Sequence, residues 1–248
     1  MFKAIRPLSS SRIDTDDPFF PVRTFNEPPS SLISAAKIRF GMYSFKKSNN
    51  NVWIDIIIHK TTANTEVPPE FLIKHPLQNT WSLWFYDNDR NKTWEENLIE
   101  LTTFDTVEDF WRLYHHIKLP SELRQGHDYA VFKQGIRPMW EDDANKMGGR
   151  WLVSLEKKQR NSDLDRFWLD VVLLLIGENF ENSDEICGAV VNVRPKLDKI
   201  ADTTKQHGNI EIGRRLKEQL GIHGKIGYQV HRDTMVKHSS ATKNLYTV

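Results

Sequence analysis

The pattern of hydrophobic and polar positions divides the chain into two parts near residue 70. Residues 1–70 carry a serine run, prolines and an asparagine run, a composition typical of segments that bury little surface. We predict that they form a low-complexity, disordered extension and that residues 71–248 form one folded domain. Residues 52–58 are apolar and β-prone, and three interpretations stay open: an extra edge strand, a partner-binding segment or a local cluster.

Short apolar runs in the second part predict strands, and apolar residues at helical spacing predict three helices. The strands are predicted at residues 81–86, 129–133, 151–155, 187–193 and 225–231. The first helix is predicted to begin at a cap, Asp105 or Thr106. The second is predicted at 164–176, with a cap at Ser162 or Asp163 and its end at Gly177, and the third at 210–220. The C-terminus from Ser239 is polar and is expected to be loose. Because several connections are too short for parallel crossovers, we predict an α+β domain with a mostly antiparallel sheet and the helices on one face.

Composition restricts the class of partner. The chain has 34 Lys and Arg against 33 Asp and Glu, a formal net charge of +1. Proteins that coat long nucleic acids neutralise many phosphates, so this balance argues against that class while leaving room for a local basic cluster. The single cysteine, Cys187, excludes an internal disulfide and fits a reducing compartment. Since no apolar run resembles a signal peptide or reaches membrane-spanning length, we predict a soluble intracellular protein with no membrane association.

Three features fall on predicted loops rather than on packed faces: Trp94, Trp140 with the adjacent Glu141, and the cations Arg194, Lys196 and Lys199. A flat ring beside a bidentate acceptor can hold a purine base by stacking and by edge recognition together. Cations that follow a predicted strand can grip a phosphate chain. Each feature also has an ordinary structural explanation: Trp140 as a cap on the core, Glu141 facing water, and the cations as a solvated turn. Together they outline a base sandwich, an edge reader and a phosphate clamp.

From position 75 onward, specific motifs carry a resemblance to a known family. They are His-Pro-Leu-Gln-Asn-x-Trp-x-Leu-Trp-Phe at 75–85, Phe-Asp-Thr-Val-Glu-Asp-Phe-Trp at 104–111, Pro-Met-Trp-Glu-Asp at 138–142, Gly-Gly-Arg-Trp at 148–151, Ser-Asp-Leu-Asp-Arg-Phe-Trp-Leu at 162–169 and Cys-Gly-Ala-Val-Val-Asn-Val-Arg at 187–194. With these motifs the sequence resembles the cap-binding translation initiation factor 4E family over nearly all of its core, but not over residues 1–70. The resemblance implies a curved antiparallel sheet backed by three helices, in agreement with the pattern.

The resemblance implies that Trp94 and Trp140 sandwich 7-methylguanine at the 5′ end of messenger RNA. Methylation at N7 makes the base cationic, which adds a cation–π term to ordinary stacking. Glu141 matches the carboxylate that accepts from the guanine N1 and N2 donors, a pair that adenine lacks. Four basic residues match positions on or near the cap phosphates: Arg150, Arg194, Lys196 and Lys199.

A second surface is implied in the same way, a convex face that docks a partner helix carrying Tyr-x-x-x-x-Leu-apolar. Its members are His75, Pro76, Leu77, Val107, Trp111, Leu169, Asp170 and Gly177. The implied partners are the scaffold initiation factor 4G and inhibitory binding proteins that carry this motif. The helical pattern alone predicts that Trp111 belongs to the core, because it fits the apolar stripe of its helix; only the resemblance moves it to the surface.

One departure from the family pattern bears on cap affinity. Where the family has Lys-Ile-x-Ile-Trp-Thr, this chain has Lys199-Ile200-Ala201-Asp202-Thr203-Thr204. Thr203 therefore stands at the position of a third cap-pocket tryptophan, and we expect weaker binding of the cap.

Three functions are compatible with these residues. The first is a monomeric, cytoplasmic initiation factor, with the nucleus as a second compartment, that bridges capped messenger RNA to a scaffold without a cofactor. The second is a cap-binding paralogue that acts as a translational repressor or competitor. The third is an enzyme that hydrolyses phosphate bonds, in which Glu141, Asp142 and Asp143 hold Mg²⁺ and His115 or His116 acts as the acid-base group. No nucleophile–base motif supports the third hypothesis.

Overall fold

A curved antiparallel sheet dominates the computed structural model, which describes residues 46–48, 51–53, 73–205, 210–233 and 243–248. Within these ranges the sheet has eight strands, in the order β10-β9-β6-β8-β7-β5-β3-β4. Every neighbouring pair is antiparallel, as the short connections predicted, and β4 and β10 form the two edges. The strands are β3 (Pro76–Tyr86), β4 (Leu98–Thr106), β5 (Asp128–Lys133), β6 (Gly149–Glu156), β7 (Ile186–Asn192), β8 (Leu197–Thr204), β9 (Gly227–Val230) and β10 (Tyr246–Thr247).

Two short strands precede the large sheet. β1 (Lys46–Ser48) and β2 (Asn51–Trp53) pair with each other in a separate antiparallel sheet. The apolar patch at residues 52–58 therefore begins in β2, and its remainder lies outside the described residues, as does most of the extension predicted at residues 1–70.

Three long helices were predicted, and each is present within the described ranges. The helices are α1 (Trp94–Asn97), α2 (Val107–His116), α3 (Asp165–Ile176) and α4 (Ile210–Leu220). Thr106 caps α2 as predicted, because the Asp109 N–H donates to its hydroxyl at 3.2 Å. The predicted cap of α3 at Ser162 or Asp163 is wrong. A π-helical turn, Arg160–Leu164, runs directly into α3, so the helix has no free start for a side chain to cap; Gly177 ends it as predicted.

The two faces of the sheet have different surroundings. On the helix face, alternate residues of the strands, such as Leu83, Val131 and Val153, join residues of α2, α3 and α4 in one core. On the opposite face, here called the open face, a small cluster of Ala130, Phe132 and Cys187 is covered by residues that include Trp84, Ile136, Ala144 and Val190. Side chains alternate between faces along a strand, so the register decides which residues share the open face.

Three local predictions need correction. The cluster of cations was predicted on a loop, but Lys199 lies within β8, where polar residues at inward positions hide the strand pattern. The segment of β4 was not predicted as a strand, because an edge strand buries only part of its surface. Tyr246 and Thr247, in the C-terminus predicted to be loose, form β10 against β9. In the described part of the chain, no helix has the length and apolar character needed to cross a bilayer.

Candidate functional site

Trp94 stands at the first position of α1, on the connection between β3 and β4, with 45% of its surface exposed. A capping box begins this short helix: the Glu96 N–H donates to the Thr93 hydroxyl at 3.2 Å, and the Thr93 N–H donates to the Glu96 carboxylate at 2.7 Å. The buried side chain of Asn97 holds the preceding loop. It accepts from the Asp89 N–H at 2.8 Å and donates to the carbonyls of Asp89 and Thr93 at 2.9 and 3.0 Å. Polar hydrogen bonds hold this loop in place, and Trp94 lies outside the core.

Trp140 occupies a comparable position on the connection between β5 and β6, with 38% of its surface exposed. The buried Asn145 donates to the carbonyls of Arg137 and Met139 at 2.9 and 2.7 Å. Asp142 accepts from the backbone N–H groups of Arg137 and Ala144 at 3.0 and 2.9 Å. These bonds fix the loop against the open face, and the exposure of Trp140 is inconsistent with a role as a cap on the core.

Glu141 is exposed and accepts a hydrogen bond from the indole N–H of Trp140. An ionised carboxylate has about four lone-pair sites, so this bond leaves acceptor capacity for a ligand. An exposed ring and a bidentate acceptor therefore stand side by side at the tip of one braced loop.

A basic cluster lies on the open face, built from Arg150, Arg194 and Lys199. Arg194 forms a two-pronged pair with the Asp128 carboxylate, with Nη2 at 2.8 Å from Oδ2, and its backbone N–H donates to Asp198 at 2.9 Å. Burial acts against the charge of Arg194, but the hydrogen bonds to Asp128 raise its pKa overall. Burial and the nearby charges of Arg150 and Arg194 lower the pKa of Lys199. The three cations thus lie within each other's fields, an arrangement that favours binding of a polyanion.

Arg150 is the most enclosed member of this cluster, and burial lowers its pKa. One Nη2 hydrogen bond of 3.3 Å links it to Gln229, and its buried Nε lacks a partner among the described residues. Lys196, by contrast, is exposed in the turn before β8. Thr203 lies opposite Arg150 in the register and is 5% exposed, so the position expected to hold a tryptophan is a small buried side chain.

The predicted partner face gathers residues from the start of β3, from α2 and from α3. His75 is exposed and is tied to α2 by Glu108, which accepts from its ring at 2.6 Å and from its backbone N–H at 2.8 Å. Trp111 is half-buried and contacts Phe110 with ring centroids 5.1 Å apart, so its surface is neither wholly core nor wholly exposed. Pro76 and Gly177 are exposed, and Leu77, Val107 and Asp170 are half-buried.

Leu169 differs from the other residues of this face, because it is only 3% exposed and belongs to the core. Burial raises the pKa of Asp170, one position further along α3, while Arg166 at 3.7 Å opposes the shift. In this structure Leu169 supports the face from beneath rather than forming its surface.

The magnesium hypothesis finds its residues in other roles. Asp142 accepts two backbone N–H groups in the Trp140 loop, and Asp143 pairs with Lys146 at 2.6 Å. The rings of His115 and His116 contact carbonyl oxygens one turn earlier in α2, at 2.6 and 2.5 Å. Among the described residues, no three His, Cys, Asp or Glu side chains gather as a metal site would require.

Sequence reasoning missed the residues that position the site. Asn97 and Asn145 brace the two tryptophan loops, and Asp128 holds Arg194. A buried asparagine in a polar loop has no distinctive spacing, so no signal in the sequence identifies the first two. Asp128 directly precedes a predicted strand, but only the register shows that it meets Arg194.

Comparisons with known proteins agree with this geometry. A family model described as Eukaryotic initiation factor 4E matches residues 76–246. Human eukaryotic translation initiation factor 4E is 59% identical over 197 residues, which cover 76% of this chain and 91% of that protein. Two solved structures with a TM-score of 0.66 each cover 71% of this chain. One is the complex of Ascaris suum eIF4E-3 with m2,2,7G cap, 46% identical and 99% covered; the other is the complex of C. elegans eIF4E-3 with the 4E-binding protein Mextli and cap analog, 44% identical and 100% covered. These similarities confirm the predicted fold class.

Proposed function

Because the chain belongs to the eukaryotic initiation factor 4E family, we propose that it binds the 7-methylguanosine cap of messenger RNA and recruits a scaffold initiation factor in the cytoplasm to start translation. The observation that carries this proposal is the open face itself. It bears two braced, exposed tryptophan loops, one with Glu141 beside its ring, and a cluster of cations. Solved relatives in complex with a cap or a cap analog, and with a 4E-binding protein, give further support.

Trp94 and Trp140 are proposed to stack on the two sides of the methylated base. Each stacking contact on an aromatic ring contributes about 1–3 kcal/mol. The positive charge of the base adds a cation–π term, which unmethylated guanine lacks. Because Asn97 and Asn145 hold the loops before the ligand arrives, little ordering of the backbone opposes binding.

Glu141 is proposed to read the guanine edge. Its carboxylate accepts from N1–H and from the N2 amino group, two donors that lie side by side on guanine. Adenine offers an acceptor at N1, so the same contact would place two acceptors against each other and leave the carboxylate unpaired.

The basic cluster is proposed to bind the phosphate chain. Asp128 fixes the guanidinium of Arg194, and the fields of Arg150 and Arg194 already act on Lys199. A phosphate chain would relieve the mutual repulsion of these cations, so binding should favour the triphosphate over the nucleoside. Lys196, exposed nearby, would add a screened, longer-range attraction.

The face formed by the start of β3, α2 and α3 is proposed to dock a partner helix carrying Tyr-x-x-x-x-Leu-apolar. Trp111 offers an apolar surface that is half-buried in the free protein, and α3 adds the half-buried carboxyl group of Asp170. An amphipathic helix binds such a face by packing the apolar side chains of its successive turns against it.

Variants of the two surfaces, each tested against both ligands, examine the two proposed binding sites in one experiment. We expect Trp94→Ala and Trp140→Ala to abolish most retention on a 7-methyl-GTP resin, because each removes one side of the sandwich. Both variants should bind a Tyr-x-x-x-x-Leu-apolar peptide of the scaffold factor as the unaltered protein does. Trp111→Ala is the matched control: it should lose the peptide and retain the resin.

Three results would contradict the proposal. Normal resin retention by either loop variant would show that the base does not stack there. Binding of the cap without binding of the scaffold peptide would favour the competitor function. Hydrolysis of capped RNA in the presence of Mg²⁺ would show turnover, whereas we expect binding alone.

A further inference from the structure

The last residue of β3, Tyr86, begins a cross-strand row that runs from the Trp94 loop to the basic cluster. In the register, Tyr86 lies opposite Asp128 on β5, Asp128 lies opposite Asn192 on β7, and Asn192 lies opposite Lys199 on β8. Side chains of directly opposed residues stand on the same face of a sheet. Tyr86 is therefore on the open face, at the end of this row where Trp94 follows.

The ring of Tyr86 packs beside Trp94, with centroids 6.0 Å apart and planes tilted by 36°. The residue opposite Tyr86 in the row, Asp128, holds Arg194, one of the cations proposed to bind the phosphates. Burial and the charge of Asp128 raise the pKa of Tyr86, while the charge of Arg194 opposes them, so both groups act on the hydroxyl. With a pKa above its ordinary value, the phenol keeps its proton at neutral pH and serves as an O–H donor.

Tyr86 is half-buried, and its hydroxyl makes no hydrogen bond to any group in the described part of the chain. The carboxylate of the neighbouring Asp128 already accepts hydrogen bonds from Arg194 at both oxygens. The Tyr86 donor lies beside Trp94 and opposite Asp128, which holds Arg194, so in a nucleotide bound as proposed it would meet the part that joins the base to the phosphates.

We propose that the Tyr86 hydroxyl donates a hydrogen bond to an oxygen of the phosphate nearest the cap ribose. The inference rests on the proposed cap-binding function and adds a contact to it. A phosphate oxygen is the acceptor we favour over a ribose hydroxyl because Arg194, which acts on the Tyr86 hydroxyl, draws the anionic end of the ligand to this point. The ring itself supports Trp94, so the hydroxyl and the ring have separable roles.

Tyr86→Phe removes the hydroxyl and keeps the ring. The affinities of the unaltered protein and the variant for 7-methyl-GTP, 7-methyl-GMP and 7-methylguanosine are measured by quenching of tryptophan fluorescence. A hydrogen bond to a charged acceptor corresponds to about a tenfold change in dissociation constant. We expect that loss for both phosphorylated ligands and no change for the nucleoside. Tyr246→Phe is the matched control, a half-buried tyrosine on β10 that should leave all three affinities unchanged.

The outcomes separate this inference from the proposed function. If the unaltered protein fails to bind 7-methyl-GTP, the proposed function itself is wrong. If it binds and Tyr86→Phe has the same affinity for 7-methyl-GTP, the hydroxyl makes no contact with the ligand. An equal loss for 7-methylguanosine would place the contact on the ribose or the base and overturn the assignment to phosphate. Near-UV circular dichroism of the variant verifies that the ring still packs.

Discussion

Two aspartates on β8 are both fully buried on the helix face, but only one of them has hydrogen-bond partners in the described ranges. Asp198, 0% exposed, accepts from Arg160 Nε and Nη2 at 2.7 and 2.6 Å and from the Arg194 N–H at 2.9 Å. Asp202, 1% exposed, lies between Trp151 and Ala189 in the register, and neither of its oxygens has a hydrogen-bond partner in the described ranges. A buried carboxyl without partners is costly to ionise. We therefore predict that Asp202→Asn stabilises the protein at neutral pH.

The size of the effect follows from proton linkage. Burial raises the pKa of Asp202 well above its ordinary value; the charge of Lys133 opposes this, although its Nζ donates at 2.9 Å to the Ser183 carbonyl. A raised folded-state pKa gives stability that is complete below the unfolded pKa, about 3.9, and is lost as pH rises toward the folded pKa. Each unit of difference is worth about 1.4 kcal/mol, so the loss at pH 7 is bounded at about 4 kcal/mol. An asparagine side chain at this position does not titrate, so we expect a gain of about 1–4 kcal/mol at pH 7.

Urea unfolding between pH 5 and pH 8, followed by tryptophan fluorescence, measures this gain. The difference between Asp202→Asn and the unaltered protein should grow as pH rises from 5. Asp198→Asn is the matched control on the same strand, and it should destabilise by about 3–5 kcal/mol because it leaves Arg160 buried without its counter-charge. A free energy of unfolding unchanged by Asp202→Asn at pH 7, or an unchanged pH slope, would refute the reasoning.

Two further predictions concern the cap pocket. Glu141→Gln should weaken binding of 7-methyl-GTP by about 1–3 kcal/mol in a fluorescence titration, because the amide presents an N–H to one of the guanine donors; equal affinity would show that the edge is read elsewhere. Asp202→Ile combined with Thr203→Trp should strengthen binding by about 1 kcal/mol, several-fold in dissociation constant, through contact with the methylated base. An unchanged constant for that double variant would mean that another residue already makes the contact.

The elements that the sequence predicted well have signals that are local. Thr106 and Asp109, three residues apart before an apolar stripe, identify the start of α2, and the structure has that hydrogen bond. Gly177 marks the end of α3 for the same local reason. The cap of α3 could not be predicted, because whether a helix begins freely or continues from a π-helical turn depends on how residues 160–164 pack against the rest of the domain.

The sequence predicted the tryptophans, the carboxylate and the cations of the candidate site, but not the residues that hold them in place. Trp94 and Trp140 stand out because their neighbours in sequence are polar, and both prove to be exposed. Their support is non-local: Asn145 closes a loop of several residues, and Asp128 meets Arg194 across 66 positions of sequence. Such contacts depend on which strands pair and in which register, and neither is visible in the residues that flank each side chain in the sequence.

In β8, the departure from the family sequence at Asp202 and Thr203 should affect both cap affinity and the stability of the fold. Thr203 and Asp202 are neighbours in a strand, so their side chains point to opposite faces of the sheet. Thr203 lies opposite Arg150 on the open face, whereas Asp202 lies opposite Trp151 in the core. The substitution Thr203→Trp should therefore alter cap affinity, whereas Asp202→Ile should alter the free energy of unfolding and leave cap affinity unchanged. The gain in binding of the double variant should come from the new indole ring on the open face, and its gain in stability from the loss of the buried carboxyl. The two single substitutions, measured side by side, thus distinguish the effect of Thr203 on cap affinity from the effect of the buried Asp202 carboxyl on stability.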